Sequence, residues 1–224
     1  MNIAITGANS GVGTILLRHL TSRSDVQVIA CVRSARAAAS LPASPRVSAR
    51  TIDYDNLAGL ASTLTGASCL VHLAGILFES PTTTYQAANV DATQAVVNAC
   101  LKAGVPRLVL VSVIGADPSS SNRYLSSKGH KERIVAESGL SGAIIRTPIL
   151  LGPGMAGATA LVQAASPSRV TLLGGGRHVL RPLDVDDLSV AILHCCESTG
   201  AGIEVYELVG PEPHAYRDMI ARTA

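Results

Sequence analysis

"ITGANSGVG", Ile5 to Gly13, places three glycines in seven positions directly after an apolar run and directly before a run of helical period. Where a chain keeps side chains out, something else approaches the backbone. The apolar run ends at Thr6 and the helical pattern starts near Gly11, which puts the glycines at the carboxyl end of a first strand. The first amides of a helix point outward there with a partial positive charge, and a pyrophosphate fits against them. Gly7 permits the tight turn, Gly11 lets phosphate oxygens reach the backbone, and Gly13 lets the helix pack closely. Thr6, Ala8, Asn9, Ser10 and Val12 complete the expected ligand-contacting loop. Its spacing, TGxxxGxG, is not GxGxxG, so a plain strand-to-helix turn remains the alternative for the loop taken alone.

The rest of the chain repeats the same rhythm of short β-branched runs and longer Ala/Leu-rich helical segments. Strands are expected near 2–6, 26–32, 46–52, 68–73, 106–113 and 140–146. Helices are expected over 11–22, 55–64, 82–103 and 122–138, with weaker ones at 155–165 and 184–198. Near-continuous apolar strands suit a parallel sheet covered on both faces. The fold class is therefore α/β, a Rossmann-like doubly wound parallel sheet of strand order 3-2-1-4-5-6 with Gly7, Gly11 and Gly75 at one edge. A single domain over 1–224 is expected, in which 148–183 and 210–224 form a reduced substrate-side lobe. The stretch 34–45 reads as a loop with a ragged helix, and the glycines 174–176 as a hairpin turn.

Composition removes several function classes. Net charge is +2 with no Trp and one Phe, so the chain offers neither a phosphate-tracking face nor a base-stacking platform, and no nucleic-acid partner is expected. Five cysteines without CxxC spacing suit buried thiols in a reducing compartment, and the six histidines lack ligand spacing, so no metal is expected. The apolar pattern starts at Asn2 and no run reaches the length of a membrane span, from which a cytoplasmic protein is expected.

Two further positions bear on the ligand. About 20 residues beyond such a loop a dinucleotide site holds an acidic residue on the adenosine ribose; here "VQVIACVRS" (26–34) supplies Arg33, with Ser34 and Arg36 nearby. An arginine suits a 2′-phosphate, so NADP is the expected cofactor, with NAD as the alternative; a solvated loop arginine is the plain reading. "TIDYDN" (51–56) closes the third strand with Asp53, which suits either the adenine amino group or a helix start.

The chemistry rests on "YLSSK", Tyr124 and Lys128, preceded by Ser112 in "LVLVSVIGAD". Positions i and i+4 share a helix face, and an ammonium there is expected to lower the phenol pKa. Ser112, at the end of the fifth strand, would hold a substrate oxygen while Tyr124 exchanges its proton. His130 and Lys131 fall out of register with that face and are expected to be solvated.

With these residues in order, the chain resembles the short-chain dehydrogenase/reductases, and more closely the extended and atypical branches, the NAD-dependent epimerase/dehydratase-like and NmrA-like proteins. "CLVHLAG" (69–75) resembles the family's fourth strand and adenine-side turn, and Asn89 in "YQAANVDAT" the helical Asn behind its proton-relay water. "IIRTPILLGPG" (144–154) resembles the segment beside the nicotinamide, "RPLDVDDLSVAI" (181–192) the one closing the substrate end. "VSVIGADPSSSNRYLSSK" (111–128) is similar to homologues of the nucleotide-binding accessory subunit of respiratory complex I. The resemblance implies cofactor contacts from Gly7, Gly11, Gly13, Arg33, Asp53, Ala74, Gly75, Lys128 and the Pro148 segment. It implies catalysis by Ser112, Tyr124 and Lys128, assisted by Asn89. Asn89 also reads as a helix residue bonding a nearby carbonyl, and Ser112 as a hydroxyl satisfying backbone. The implied function is an NAD(P)-dependent oxidoreductase acting on a carbonyl or hydroxyl of a small organic substrate. A non-catalytic dinucleotide-binding regulator or assembly subunit and a sugar-nucleotide epimerase or dehydratase are the alternatives. The alternatives for holding substrate are the reduced lobe, an oligomer partner, a homodimer in the simplest case, or nothing at all.

Overall fold

Strand β1 (Asn2–Thr6) is buried from Ile3 onward and pairs in parallel with a strand on each side, which is what an unbroken apolar run demands. The computed structural model describes residues 1–166 and 170–223. In chain order the main elements are α1 (Gly11–Thr21), β2 (Gln27–Val32), α2 (Ala35–Ala39), β3 (Val47–Thr51), α3 (Leu57–Leu64) and β4 (Cys69–His72). They continue with α4 (Ala92–Ala103), β5 (Arg107–Val113), α5 (Arg123–Ala136), β6 (Ser141–Thr147), α6 (Ala156–Ala165), α7 (Val185–Glu197) and α8 (Tyr216–Thr223). The sheet order β3-β2-β1-β4-β5-β6 is the expected one, and it is extended past β6 by a parallel edge strand, Ile203–Glu207.

Two apolar layers clamp this sheet. Leu16, Leu17 and Leu20 of α1 and Leu188 and Ile192 of α7 cover one face. Leu60 and Leu64 of α3, Val96 and Val97 of α4 and Val135 of α5 cover the other. The order reverses between β1 and β4, where Thr6 lies opposite His72, so the turns that follow both strands meet at one edge.

The helix expected over 82–103 is interrupted at its start. Residues Gln86–Asp91 form a π-helical turn that runs into α4 without a break. The segment before it, 76–83, is a loop closed by an isolated bridge between Ser80 and Thr83.

The glycines 174–176 turn sharply, with φ of +59°, +66° and +63°, but they do not form a hairpin. The following strand Val179–Leu180 pairs with distant His214–Ala215 instead. Leu161 and Ala165 of α6 pack on Met219 and Ile220 of α8 as a small apolar cluster apart from the main core. Within the stretches expected to form the substrate-side lobe, 167–169 and 224 lie outside the described residues.

Candidate functional site

The glycine turn is built by close backbone approach. Gly7 has φ +72°, and a Cβ there would lie 2.8 Å from the amide nitrogen of Ala74, so the turns after β1 and β4 touch only because Gly7 is bare. Ser10 caps α1, its hydroxyl accepting from the Gly13 amide at 3.0 Å. A Cβ on Gly13 would meet the carbonyl oxygens of Ala8 at 2.5 Å and Gly7 at 2.7 Å, which explains that glycine as a packing requirement. Gly11 departs from expectation: a Cβ there would meet Met155 and the Gly154 carbonyl at 2.7 Å or less, so its bareness admits the segment after β6.

Between the two turns lies a cavity of about 300 Å³ whose lining includes Gly7, Asn9, Ser10, Arg33, Ala74 and Gly75. Its lining contains no carboxylate. Of the other expected loop contacts, Thr6 and Ala8 are fully buried and Val12 packs into the core. Arg33 is exposed at the rim, beyond the end of β2. Asp53 lines an adjoining cavity with Arg33 and accepts from the Asp55 amide at 3.0 Å, while Asn56 caps α3 in its place.

Beneath the cavity floor a buried polar chain joins Thr6 to Asn89 through His72 and Thr93, two residues the sequence pattern did not single out. The Thr93 hydroxyl donates to the Asn89 carbonyl at 2.6 Å, so it must accept from Nε2–H of His72 at 3.0 Å. That leaves Nδ1 of His72 to accept from the Thr6 hydroxyl at 2.5 Å. The ring is neutral, because burial and the nearby Lys131 and Lys128 hold its pKa well below the usual histidine range. Asn89 is fully buried; its side chain accepts from the Ile76 amide and donates to the Ser127 hydroxyl, both at 2.9 Å. It therefore bridges the β4 turn to α5.

Helix α5 starts at Asn122, whose side chain accepts from the amides of Tyr124 and Leu125, and it lies against the 117–118 backbone so closely that Gly129 admits no side chain. Tyr124 and Lys128 share its inward face, and Tyr124 packs on Tyr85, ring centroids 5.8 Å apart. Glu79 fixes this corner by pairing with Arg123 at 2.8 Å and accepting from the Tyr85 amide at 2.9 Å. The expected lowering of the phenol pKa is not what the geometry produces: burial, with Tyr85 alongside, pushes Tyr124 up to about 12. Lys128 responds instead, since burial brings its ammonium down to about 8, and Glu132, whose charge partly opposes that shift, is held by Arg146 at 2.7 Å. No ion pair or hydrogen bond engages Lys128 among the described residues.

Ser112 is 1% exposed, and its Oγ is the buried side-chain polar atom left without a partner among the described residues. A hydroxyl merely serving the backbone would not be orphaned in this way. Lys131, expected to be solvated, is fully buried and donates to the Ala74 carbonyl at 2.5 Å. Pro148 follows β6 half-buried, in the segment whose continuation packs on Gly11. A bare turn and a rim arginine fit a phosphate-bearing dinucleotide, whereas Ser112, Tyr124 and Lys128 are not among the described residues that line this cavity. Among the described residues no helix is long and apolar enough to cross a membrane. No His/Cys/Asp/Glu group there could hold a metal ion.

Comparison with known proteins places this geometry. A family described as NAD(P)H-binding matches residues 7–173. A protein named ceramide reductase, from Caulobacter vibrioides, is 28% identical over 138 residues, 62% of this chain; the match spans 43% of that relative, less than half its length. UDP-glucuronic acid 4-epimerase from Bacillus cereus, solved with NAD, superposes on 100% of this chain and 83% of its own, with TM-score 0.85 and 20% identity. The dTDP-glucose 4,6-dehydratase DesIV from Streptomyces venezuelae, a double mutant solved with NAD, covers 100% of this chain and 80% of its own, with TM-score 0.81 and 23% identity.

Proposed function

Because this chain belongs to the NAD(P)H-binding family, we propose that it is an NAD(P)(H)-dependent oxidoreductase interconverting a carbonyl and a hydroxyl on a small organic substrate. The orphaned Ser112 hydroxyl carries this reading. An unsatisfied buried hydroxyl costs about 1–3 kcal/mol, which a substrate oxygen accepting from it would offset. Bound in the cavity, the dinucleotide supplies hydride. Ser112 then holds the substrate oxygen, Tyr124 donates the proton to it, and Lys128 keeps its ammonium for the dinucleotide's ribose hydroxyls. Asn89 holds the β4 turn and α5 at a fixed spacing. The relative named ceramide reductase supports carbonyl chemistry as the place to begin.

Arg33 supports NADP over NAD, since no carboxylate lines the cavity to bind an unmodified ribose. Arg33→Ala is expected to weaken NADPH binding by roughly one to two decades, the loss of one charge-assisted contact of ~1.5–3 kcal/mol, and to leave NADH binding within about two-fold. Fluorescence titration of both cofactors against both proteins checks it; equal affinities in the parent would remove the preference.

A second reading, a dinucleotide-binding protein without turnover, is favoured by the absence of Ser112, Tyr124 and Lys128 from the described residues lining the cavity. A screen of aldehydes, ketones, quinones and nucleoside-diphosphate sugars with NADPH and NADH, run beside a binding titration, separates the two. Tight binding with no turnover on any of them would replace the oxidoreductase reading.

A further inference from the structure

We propose that Lys131 is a positioning residue for the dinucleotide, holding the Ala74–Gly75 peptide so that the Gly75 amide faces the cavity; this rests on the reading that the cavity takes NAD(P)(H). Lys131 has no place in the proton chemistry above, yet it is the largest fully buried side chain of the described residues. A buried amine is expensive unless something is obtained from it. No carboxylate neutralises it: Glu132, next along α5, is bound to Arg146, and the other amine on that face is Lys128. Burial and Lys128 both hold its pKa well below the usual lysine range.

What Lys131 touches shows what it obtains. Its Nζ reaches from α5 to the Ala74 carbonyl at 2.5 Å and lies 3.6 Å from where a Gly75 Cβ would stand. In a trans planar peptide the carbonyl of one residue and the N–H of the next point in opposite directions. No peptide among the described residues is cis, so drawing the Ala74 oxygen inward turns the Gly75 N–H outward. Gly75 is exposed and lines the cavity, and among the described residues no acceptor takes its N–H. The next amide, Ile76, is held by Asn89, so the turn is fixed on both sides of the open Gly75 donor. A ribose or phosphate oxygen is the ligand group that would accept from such a donor.

Lys131→Met keeps the apolar stem and removes the strut, and Lys131→Leu repeats the test with a differently shaped side chain. Both are titrated with NADPH and NADH, and the melting temperature of each dinucleotide-free protein is measured. The Gly75 amide is followed by ¹H–¹⁵N NMR through the titration of the parent and of Lys131→Met. The expected result is a dissociation constant about ten-fold higher for either dinucleotide, the loss of one well-aimed hydrogen bond. The free proteins should melt no lower than the parent, because an apolar side chain suits that interior. A Gly75 amide shift on binding should appear in the parent and shrink in the variant. Unchanged affinity, or weaker binding matched by a lower melting temperature, overturns the proposal and assigns Lys131 to packing. A parent that binds neither dinucleotide overturns the reading of the cavity and this proposal together.

Discussion

Replacing Tyr124 with Phe lowers turnover by roughly two to four decades, the usual reach of a general acid or base, and leaves the dinucleotide dissociation constant within about two-fold. The hydroxyl is the only group removed, and the ring's contact with Tyr85 at 5.8 Å is kept. Burial sets the direction in which Tyr124 is effective: a phenol held near 12 is protonated at neutral pH and ready to give a proton, as reduction of a carbonyl requires. Oxidation of the alcohol needs the phenolate, so its rate should climb with pH across the neutral and alkaline range. Single-turnover rates in both directions, with binding measured separately, test this. A Phe variant that turns over at the parental rate would remove Tyr124 from the chemistry.

Lys128→Met separates function from stability even more sharply. Lys128 sits near 8 in the folded chain against lysine's ordinary 10.5, so between those values the unfolded chain binds the extra proton. Stability therefore rises with pH through that window, and below it the buried ammonium costs on the order of 3 kcal/mol. Met removes the cost, so the dinucleotide-free variant should melt higher than the parent at pH 7. Turnover should fall by at least about two decades and dinucleotide affinity by about one, since the ammonium reserved for the ribose is gone. The parent's affinity should also weaken as pH rises above about 8, where Lys128 gives up its proton, and the Met variant should be insensitive there. Melting curves and titrations at pH 7 and pH 9 decide it: a variant that melts lower, or that binds as tightly as the parent, contradicts this account of Lys128.

The parts of the site legible in the sequence are those fixed by local geometry. A strand that stops, a turn that needs a bare residue and a helix that starts are all neighbours in the chain, so Gly7 and the helix start near Gly11 are legible without knowing what surrounds them. The pairing of Tyr124 with Lys128 on one face follows from helical period alone. Ionisation did not follow: the phenol pKa is set by the depth of the site and by Tyr85, thirty-nine positions away, which periodicity cannot see. Lys131 was misjudged for a related reason. A polar residue off the expected face reads as solvated, and only the contact with Ala74, fifty-seven positions earlier, reveals that α5 is buried there as well. The edge strand Ile203–Glu207 is not legible because it is exposed along nearly its whole length and its two glutamates interrupt any apolar run, and exposed strands resemble loops. Gly11 was assigned to a phosphate because the segment that fills its space arrives from beyond β6.

The π-helical turn over Gln86–Asp91 has the form an α-helix takes when one residue is inserted into it. Asn89 lies inside that turn, and from there it reaches both the Ile76 amide and the Ser127 hydroxyl. What aims Asn89 is thus the number of residues in the turn as much as their identity. Deleting one residue from 86–91 would let the helix relax to ordinary winding and rotate everything before the deletion by about 100° relative to α4. Each remaining side chain would be chemically unaltered. A library of point substitutions would pass over this feature, whereas a one-codon deletion series would find it.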